Sequence, residues 1–349
     1  MILDFLRKIK TSMLAVGIKM AKNYSTEPHL LAKNLTDPSK SVYYVPDASL
    51  PCLSCGDQNP FNLIPKKRLF RLMRQYRVSS KVIKKLERFY NSDKDSIDLR
   101  GDDNLGARIL IQEVEDIILR TLKKKYRDPS ANFIPYFDAE MSGKVALHCC
   151  ACGPSSSGKS TIISKIIEHN FPDRKNWILS PTAQSDPVWR NLQAVLGKKK
   201  VKLVNTSDIT HPISLEHDIG RGNTVTFDDQ DVIQPANARY TSDLCSQALY
   251  EGRHMTDKEG KGIVCFSILH DAFSRTVKSV KSSSIESSRV IIFPNQQPHV
   301  AKKIMRLRLG YSAEQIKEVL DFITPKDRWA VLYQHVPSAV ITKTGVLLI

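Results

Sequence analysis

The chain has 349 residues, 41% hydrophobic and 25% charged, the composition of a folded protein with room for two domains or one large α/β domain and an appendage. It has no uninterrupted apolar run of about 18 residues, so no membrane-spanning helix is expected. Lysine and arginine number 52 against 36 acidic residues, and the net charge of +16 points to a polyanionic partner, nucleic acid above all.

Met1 to Ser25 is rich in lysine and nearly free of acids, with Leu, Ile and Met at helical spacing. This fits an organelle-targeting peptide or a basic amphipathic arm that lies on nucleic acid or a partner. There is no small-residue cleavage site behind a compact apolar core, so secretion is not expected, and the arm is the favoured reading. Residues 26 to 65 carry Pro, Ser, Asp and Asn without periodicity and read as loop or linker. Cys52-x-x-Cys55 has half of a zinc site's spacing, but no second Cys/His pair follows at the required distance, so a loop with two free thiols is expected. From Lys66 to Arg88 ten lysines and arginines face a single acid, Glu87. Lys67, Arg71 and Arg74, then Lys81, Lys85 and Arg88, fall on one helical face, while Leu69, Met73, Tyr76, Ile83 and Leu86 fall on another. Ser79-Ser80 divides the stretch into two helices, and its basic face is either a solvated surface or a DNA contact. Asp102 to Asn104 is a turn, and Gly106 to Arg127 has the pattern of an amphipathic helix. Residues 1–138 are thus expected to form a helical, basic N-terminal region, and 139–349 a separate catalytic domain.

That second region opens on Lys144 to Cys152, which reads as a buried strand, followed by Gly153-Pro154-Ser155-Ser156-Ser157-Gly158-Lys159-Ser160 and an apolar-faced helix from Thr161 to Ile167. Strand, G-x-x-x-x-G-K-S and helix in that order are the context of a phosphate-binding loop. The glycines let successive backbone N–H groups turn inward around a phosphate, and the helix N-terminus adds its positive dipole end. Lys159 is expected to reach the β- and γ-phosphates of ATP and the Ser160 hydroxyl to ligate Mg2+, with Gly153 to Thr161 forming the nucleotide cradle. Seven cysteines is an odd count without framework spacing, and Cys149, Cys150 and Cys152 read as small buried hydrophobes in a reducing compartment.

Strands are then expected at Asn176–Ser180, Val201–Val204, Asn223–Phe227, Gly262–Leu269, Arg289–Phe293, Trp329–Tyr333 and Ala339–Ile349. Helices are expected at Asp186–Leu196 and Ala236–Gly252, with two more between Pro298 and Phe322. This alternation predicts a mainly parallel, three-layer α/β sheet. Asp228-Asp229 directly after a strand supplies a carboxylate for the metal (Asp228) and one toward the γ-phosphate as base (Asp229), where many ATPases carry Glu. His270, after the strand ending at Leu269, is placed like a sensor of the γ-phosphate. Arg253, Arg275 and Arg289 are candidates for a charge-stabilising finger inserted from a neighbouring subunit, and Arg275 is expected to act with the catalytic residues.

Five segments together resemble one family. These are the phosphate loop, Asp186-Pro-Val-Trp189, Thr226-Phe-Asp-Asp229, Leu249-Tyr-Glu-Gly-Arg-His254, and Leu269-His270 followed by Arg289-Val-Ile-Ile-Phe-Pro-Asn295. In this order they look like the viral genome-packaging ATPases of the FtsK–HerA superfamily, of poxvirus and polinton type. The likeness runs from Val145 to Ile349. It implies a RecA-like P-loop NTPase core assembled as a homo-oligomeric ring (hexamer or pentamer), with double-stranded DNA through the middle, ATP sites between subunits and capsid proteins as possible partners. It implies catalytic roles for Lys159, Ser160, Asp228 and Asp229, a sensor role for His270, and location in the host cytoplasm or nucleus where virions assemble. The residues alone also admit a P-loop nucleotide or nucleic-acid kinase, for which an arginine-rich lid is missing, and a non-catalytic scaffold that binds nucleotide in order to assemble.

Overall fold

A computed structural model describes residues 29–45, 52–55, 84, 125–229, 235–273, 283, 285–334 and 338–349. The expected arm at 1–25, the expected basic helices between Lys66 and Tyr90 apart from Lys84, nearly all of the helix expected from Gly106, and Arg275 lie outside the described residues. The chain divides into two compact units, one of Met1–His29 with Val42–Tyr126 and the other of Leu30–Ser41 with Arg127–Ile349. In the first, β2 (Val42–Val45) and β3 (Cys52–Cys55) pair antiparallel, with Val42 opposite Cys55.

In the second unit, β1 (His29–Asn34) pairs antiparallel with β5 (Phe133–Pro135), and Leu31, Ala32, Phe133 and Ile134 are buried. These strands correct the expectation of a loop over 26–65. β1 is held by a partner about a hundred positions away, and neither periodicity nor the surrounding Pro and Asp residues reveal such a partner. Likewise Lys125–Arg127, expected to end a helix, is a short strand, β4.

Next come β6 (Cys149–Cys152), α1 (Lys159–Asn170), β7 (Asn176–Ser180), α2 (Pro187–Leu196), β8 (Val201–Asn205), β9 (Thr224–Phe227), α3 (Pro235–Glu251), β10 (Val264–Leu269) and β11 (Arg289–Ile292). Then follow α4 (Pro298–Leu307), α5 (Ala313–Phe322), β12 (Ala330–Tyr333), β13 (Ala339–Thr342) and β14 (Gly345–Leu348). The large sheet runs β14-β13-β12-β11-β6-β10-β9-β7-β8. From β11 to β8 every pairing is parallel, and from β11 to β14 every pairing is antiparallel. The expected parallel sheet is therefore the functional half of a mixed one. The last two antiparallel pairings follow from short links, five residues between β12 and β13 and Lys343-Thr344 between β13 and β14, too short for a parallel crossover.

Alternation along the strands divides the core. Trp177, Leu179, Val225, Phe227 and Cys265 face one side, with Leu244, Cys245, Ala248 and Leu249 of α3. Farther along that side, Cys152, Val290, Ile292, Ala330 and Leu332 meet Ala301, Ile304 and Met305 of α4 and Ile316, Val319 and Phe322 of α5. Phe266 points the other way and packs edge-on against Phe171, the residue capping α1, with ring centroids 5.8 Å apart. Helices thus cover both faces, giving the three-layer α/β architecture of a P-loop NTPase. Among the described residues no helix is long and apolar enough to cross a membrane.

Candidate nucleotide site

Strand order determines where the chemistry collects. β10 lies between β6, which leads into the glycine loop, and β9, which leads into the paired acids. Leu269 is in register with Cys152, and Phe227 with Ser267. Gly153, Asp228-Asp229 and His270 therefore leave the sheet side by side at the carboxyl ends of parallel strands, where open α/β sheets bind ligands.

Two glycines shape the loop for different reasons. A Cβ on Gly153 would sit 2.5 Å from Cδ2 of the buried Phe293 ring, so close approach requires glycine. Gly158 has φ +99° with no neighbour where its Cβ would be, so it serves backbone freedom at the start of α1. Gly153→Ala is accordingly expected to lower stability by about 1–3 kcal/mol, measured by denaturant melting. Phe293→Leu in the same chain should recover part of the loss, and no recovery would place the strain elsewhere.

The Lys159 side chain is buried, and its ammonium donates to the carbonyls of Gly153 and Pro154, each at 2.9 Å. It also lies 3.4 Å from His270 Nδ1. On the other side of the imidazole, Nε2 stands 2.8 Å from Asp229 Oδ1. Ser155 Oγ approaches His270 Nδ1 at 3.4 Å. Asp229 holds φ at +54°, a left-handed conformation that Asp tolerates better than most residues and that is characteristic of functional turns.

Asp228 is only 2% exposed. Its Oδ2 accepts a hydrogen bond from Trp189 Nε1 at 2.7 Å, while Oδ1 is buried without a hydrogen-bond partner. Burial, reinforced by the charge of Asp229, pushes this carboxyl up to about 7, against the pull of the Trp189 hydrogen bond. A buried carboxylate oxygen with no donor suits a divalent cation: the ion would satisfy the oxygen and hold the group ionised. Among the described residues no cluster of three or more His, Cys, Asp or Glu could hold a metal, so any Mg2+ here would depend on Asp228, hydroxyls and a ligand's own phosphates.

Sequence reasoning missed the role of Trp189, although its signal was present. Asp186 Oδ1 accepts from Val188 N at 2.7 Å, capping α2, and Pro187 takes the first helical position. Asp-Pro therefore fixes the start of the helix, and the fully buried Trp189 in its first turn aims its N–H at Asp228.

The arginine candidates separate. Arg289 is 1% exposed, with its guanidinium carbon 4.0 Å from the Phe137 ring centroid and 4.3 Å from that of Tyr333. It also donates to Tyr333 Oη and Ser288 Oγ, so it is a structural arginine that cannot reach a neighbouring subunit. Arg253 is exposed and donates to His254 Nε2 at 2.9 Å. It lies near the start of β10, about 20 Å of strand from His270. Gly252 there accepts Ile263 N–H at 2.8 Å, and a Cβ on it would lie 3.2 Å from Ile263 O, so the Glu-Gly-Arg-His turn also closes α3 against β10.

No protein-family model matches the chain, and no curated protein matches it in sequence. Among solved structures it is similar to the genome packaging NTPase B204 from Sulfolobus turreted icosahedral virus 2, determined in complex with AMPPCP. The identity is 10%, over 57% of this chain and 97% of that one, with a TM-score of 0.32. It is also similar to a DnaB-like replicative helicase, at 11% identity over 80% of this chain and 73% of that one, with a TM-score of 0.26.

Proposed function

We propose that this protein hydrolyses ATP to move DNA, as a translocase that packages viral double-stranded DNA into a capsid. The observation that carries the hydrolytic part is the convergence of Lys159, Asp228, Asp229 and His270 on one end of the sheet, beside a loop whose glycines fit a phosphate cradle. Gly153 to Thr161 would wrap the phosphates, with Lys159 neutralising their charge. Mg2+ would be held by Asp228 and the Ser160 hydroxyl, and when bound would offset charge on the phosphate oxygens. The Asp229–His270 pair would stand on the side of the attacking water. The DNA-moving part rests on the net charge of +16, the basic stretch from Lys66 to Arg88, and the sequence resemblance to packaging ATPases. Under this reading residues 1–138 form a nucleic-acid or capsid-facing region, 139–349 the motor domain, and several copies a ring with an arginine finger, Arg275 or Arg253, acting across subunits.

The test is ATP hydrolysis by the purified chain with and without duplex DNA, with native mass spectrometry to count subunits. Stimulation by duplex and a ring-sized assembly are the expected results. Hydrolysis that ignores DNA would remove the translocase, and phosphate transfer to an added acceptor would make the protein a kinase.

Trp189→Phe keeps an aromatic ring in a smaller side chain but removes the donor to Asp228. The acid should then ionise less readily, and the rising limb of the pH–rate profile should move up by about one unit. An unchanged limb would show that Trp189 only fills space.

A further inference from the structure

On the reading of this site as an ATP-hydrolysing centre, we propose that the group activating water is His270, and that Asp229 positions it. A lone Asp229 carboxylate, as the sequence alone suggests, would not be the base. The geometry defines the direction of the pair. Asp229 Oδ1 can only accept from an N–H when ionised, so at 2.8 Å His270 Nε2 is the donor. The opposite nitrogen, Nδ1, looks toward the phosphate loop, with Ser155 Oγ and the Lys159 ammonium each 3.4 Å away. The ammonium can only donate and the hydroxyl can turn to donate, and a proton on Nδ1 would confront the Lys159 charge, so Nδ1 presents its lone pair. The result is an imidazole held in one tautomer by a carboxylate, its acceptor nitrogen aimed at the segment that would cradle phosphates.

Asp229 is committed to this task in two ways. Its side chain is engaged by His270, and its backbone adopts φ +54° to aim it there. A strained conformation of this kind persists where surrounding structure and function hold it. The arrangement also accounts for a carboxylate one bond shorter than the usual Glu: Asp229 need reach only the imidazole, and the imidazole spans the remaining distance.

The step balances without further reagents. A water O–H bond breaks and its proton passes to His270 Nδ1 as the water oxygen bonds to the γ-phosphorus. The bond from that phosphorus to the β,γ-bridging oxygen breaks, and its electron pair leaves with ADP. The imidazolium formed is stabilised by Asp229 and returns its proton to solvent or to the departing phosphate. His270 is thus the catalytic residue and Asp229 the positioning residue, the division of labour of an acid–base pair in which a carboxylate orients an imidazole.

The experiment is single-turnover ATP hydrolysis by the full chain for wild type, His270→Asn, Asp229→Asn and the double variant, with binding of a non-hydrolysable ATP analogue measured for each. Asn is chosen at 229 because it tolerates the left-handed backbone. Each single variant should lose about 10²–10⁴ in rate, with analogue affinity within about threefold, and the double variant should lose no more than the worse single. His270→Gly should regain rate on addition of imidazole, and Asp229→Asn should not. If His270→Asn hydrolyses within about threefold of wild type while Asp229→Asn is inactive, Asp229 is the base and the proposal is wrong. Losses that multiply in the double variant, or no imidazole rescue in a variant that still binds the analogue, would equally overturn it. A wild-type chain that binds the analogue and hydrolyses nothing would instead overturn the ATPase reading itself.

Discussion

Lys159→Ala is expected to reduce ATP hydrolysis by about 10²–10³ or more and to weaken nucleotide binding sharply, because it removes the one flexible cation at the centre of the loop. The side chain is buried, and its ammonium is held by the carbonyls of Gly153 and Pro154. Those carbonyls orient the ammonium within the loop, and on the proposed reading nucleotide would exchange them for phosphate oxygens, which are charged and stronger partners. Lys159→Arg should not rescue activity. A guanidinium is larger and planar and cannot occupy a space shaped by two carbonyls and an imidazole. Binding of a fluorescent ATP analogue together with phosphate release checks both. Near-normal turnover in Lys159→Ala would remove the phosphate-loop assignment, whatever the sequence motif.

Asp228→Asn is expected to do two opposite things. Hydrolysis should fall by about 10²–10³, since on the proposed reading a bound Mg2+ would lose the Asp228 carboxylate and the amide offers no charge in its place. The metal-free protein, however, should become more stable. An acid whose folded-state value is raised from 3.8 to about 7 binds its proton more tightly in the native state than in the unfolded chain. Stability therefore falls as pH rises between those values, because ionising the buried group is penalised. The full penalty is on the order of 4 kcal/mol, part of which the amide's own unpartnered N–H would retain. Thermal melting without Mg2+ at pH 8 should place Asp228→Asn above wild type by roughly 2 kcal/mol, and the gap should close below about pH 4. Excess Mg2+ with nucleotide should reverse the order, since only the wild type can bind the ion as a carboxylate. A variant less stable than wild type at pH 8 without metal would show that Asp228 is held ionised by something other than an ion.

The sequence placed most of the second unit's strands and helices within a few residues, because each has its own punctuation. Asp186-Pro187 caps α2, Ser312 and Gln315 form a reciprocal cap on α5, and runs such as Val264 to Leu269 are apolar but for Ser267, as suits strands buried on both faces. Gly153 to Ser160 was legible for the same reason. A glycine-rich loop between strand and helix is a local backbone device, and its glycines and lysine lie within eight consecutive positions. By itself, then, the sequence determined the α/β class, the loop with Lys159, and the acids and histidine that end β9 and β10.

Only the tertiary structure decided how these residues act on one another. The insertion of β10 between β6 and β9 brings His270 against Asp229 and Lys159, although 41 and 111 positions separate it from them. The Trp189 hydrogen bond to Asp228, the burial that raises that acid, and the Phe137–Arg289–Tyr333 stack that removes Arg289 from the finger candidates are likewise contacts between remote segments. Pairing of β1 with β5 was hidden in the same way. Local propensity and capping are encoded residue by residue, but desolvation, tautomer choice and strand partnership are properties of neighbours that only the folded chain supplies.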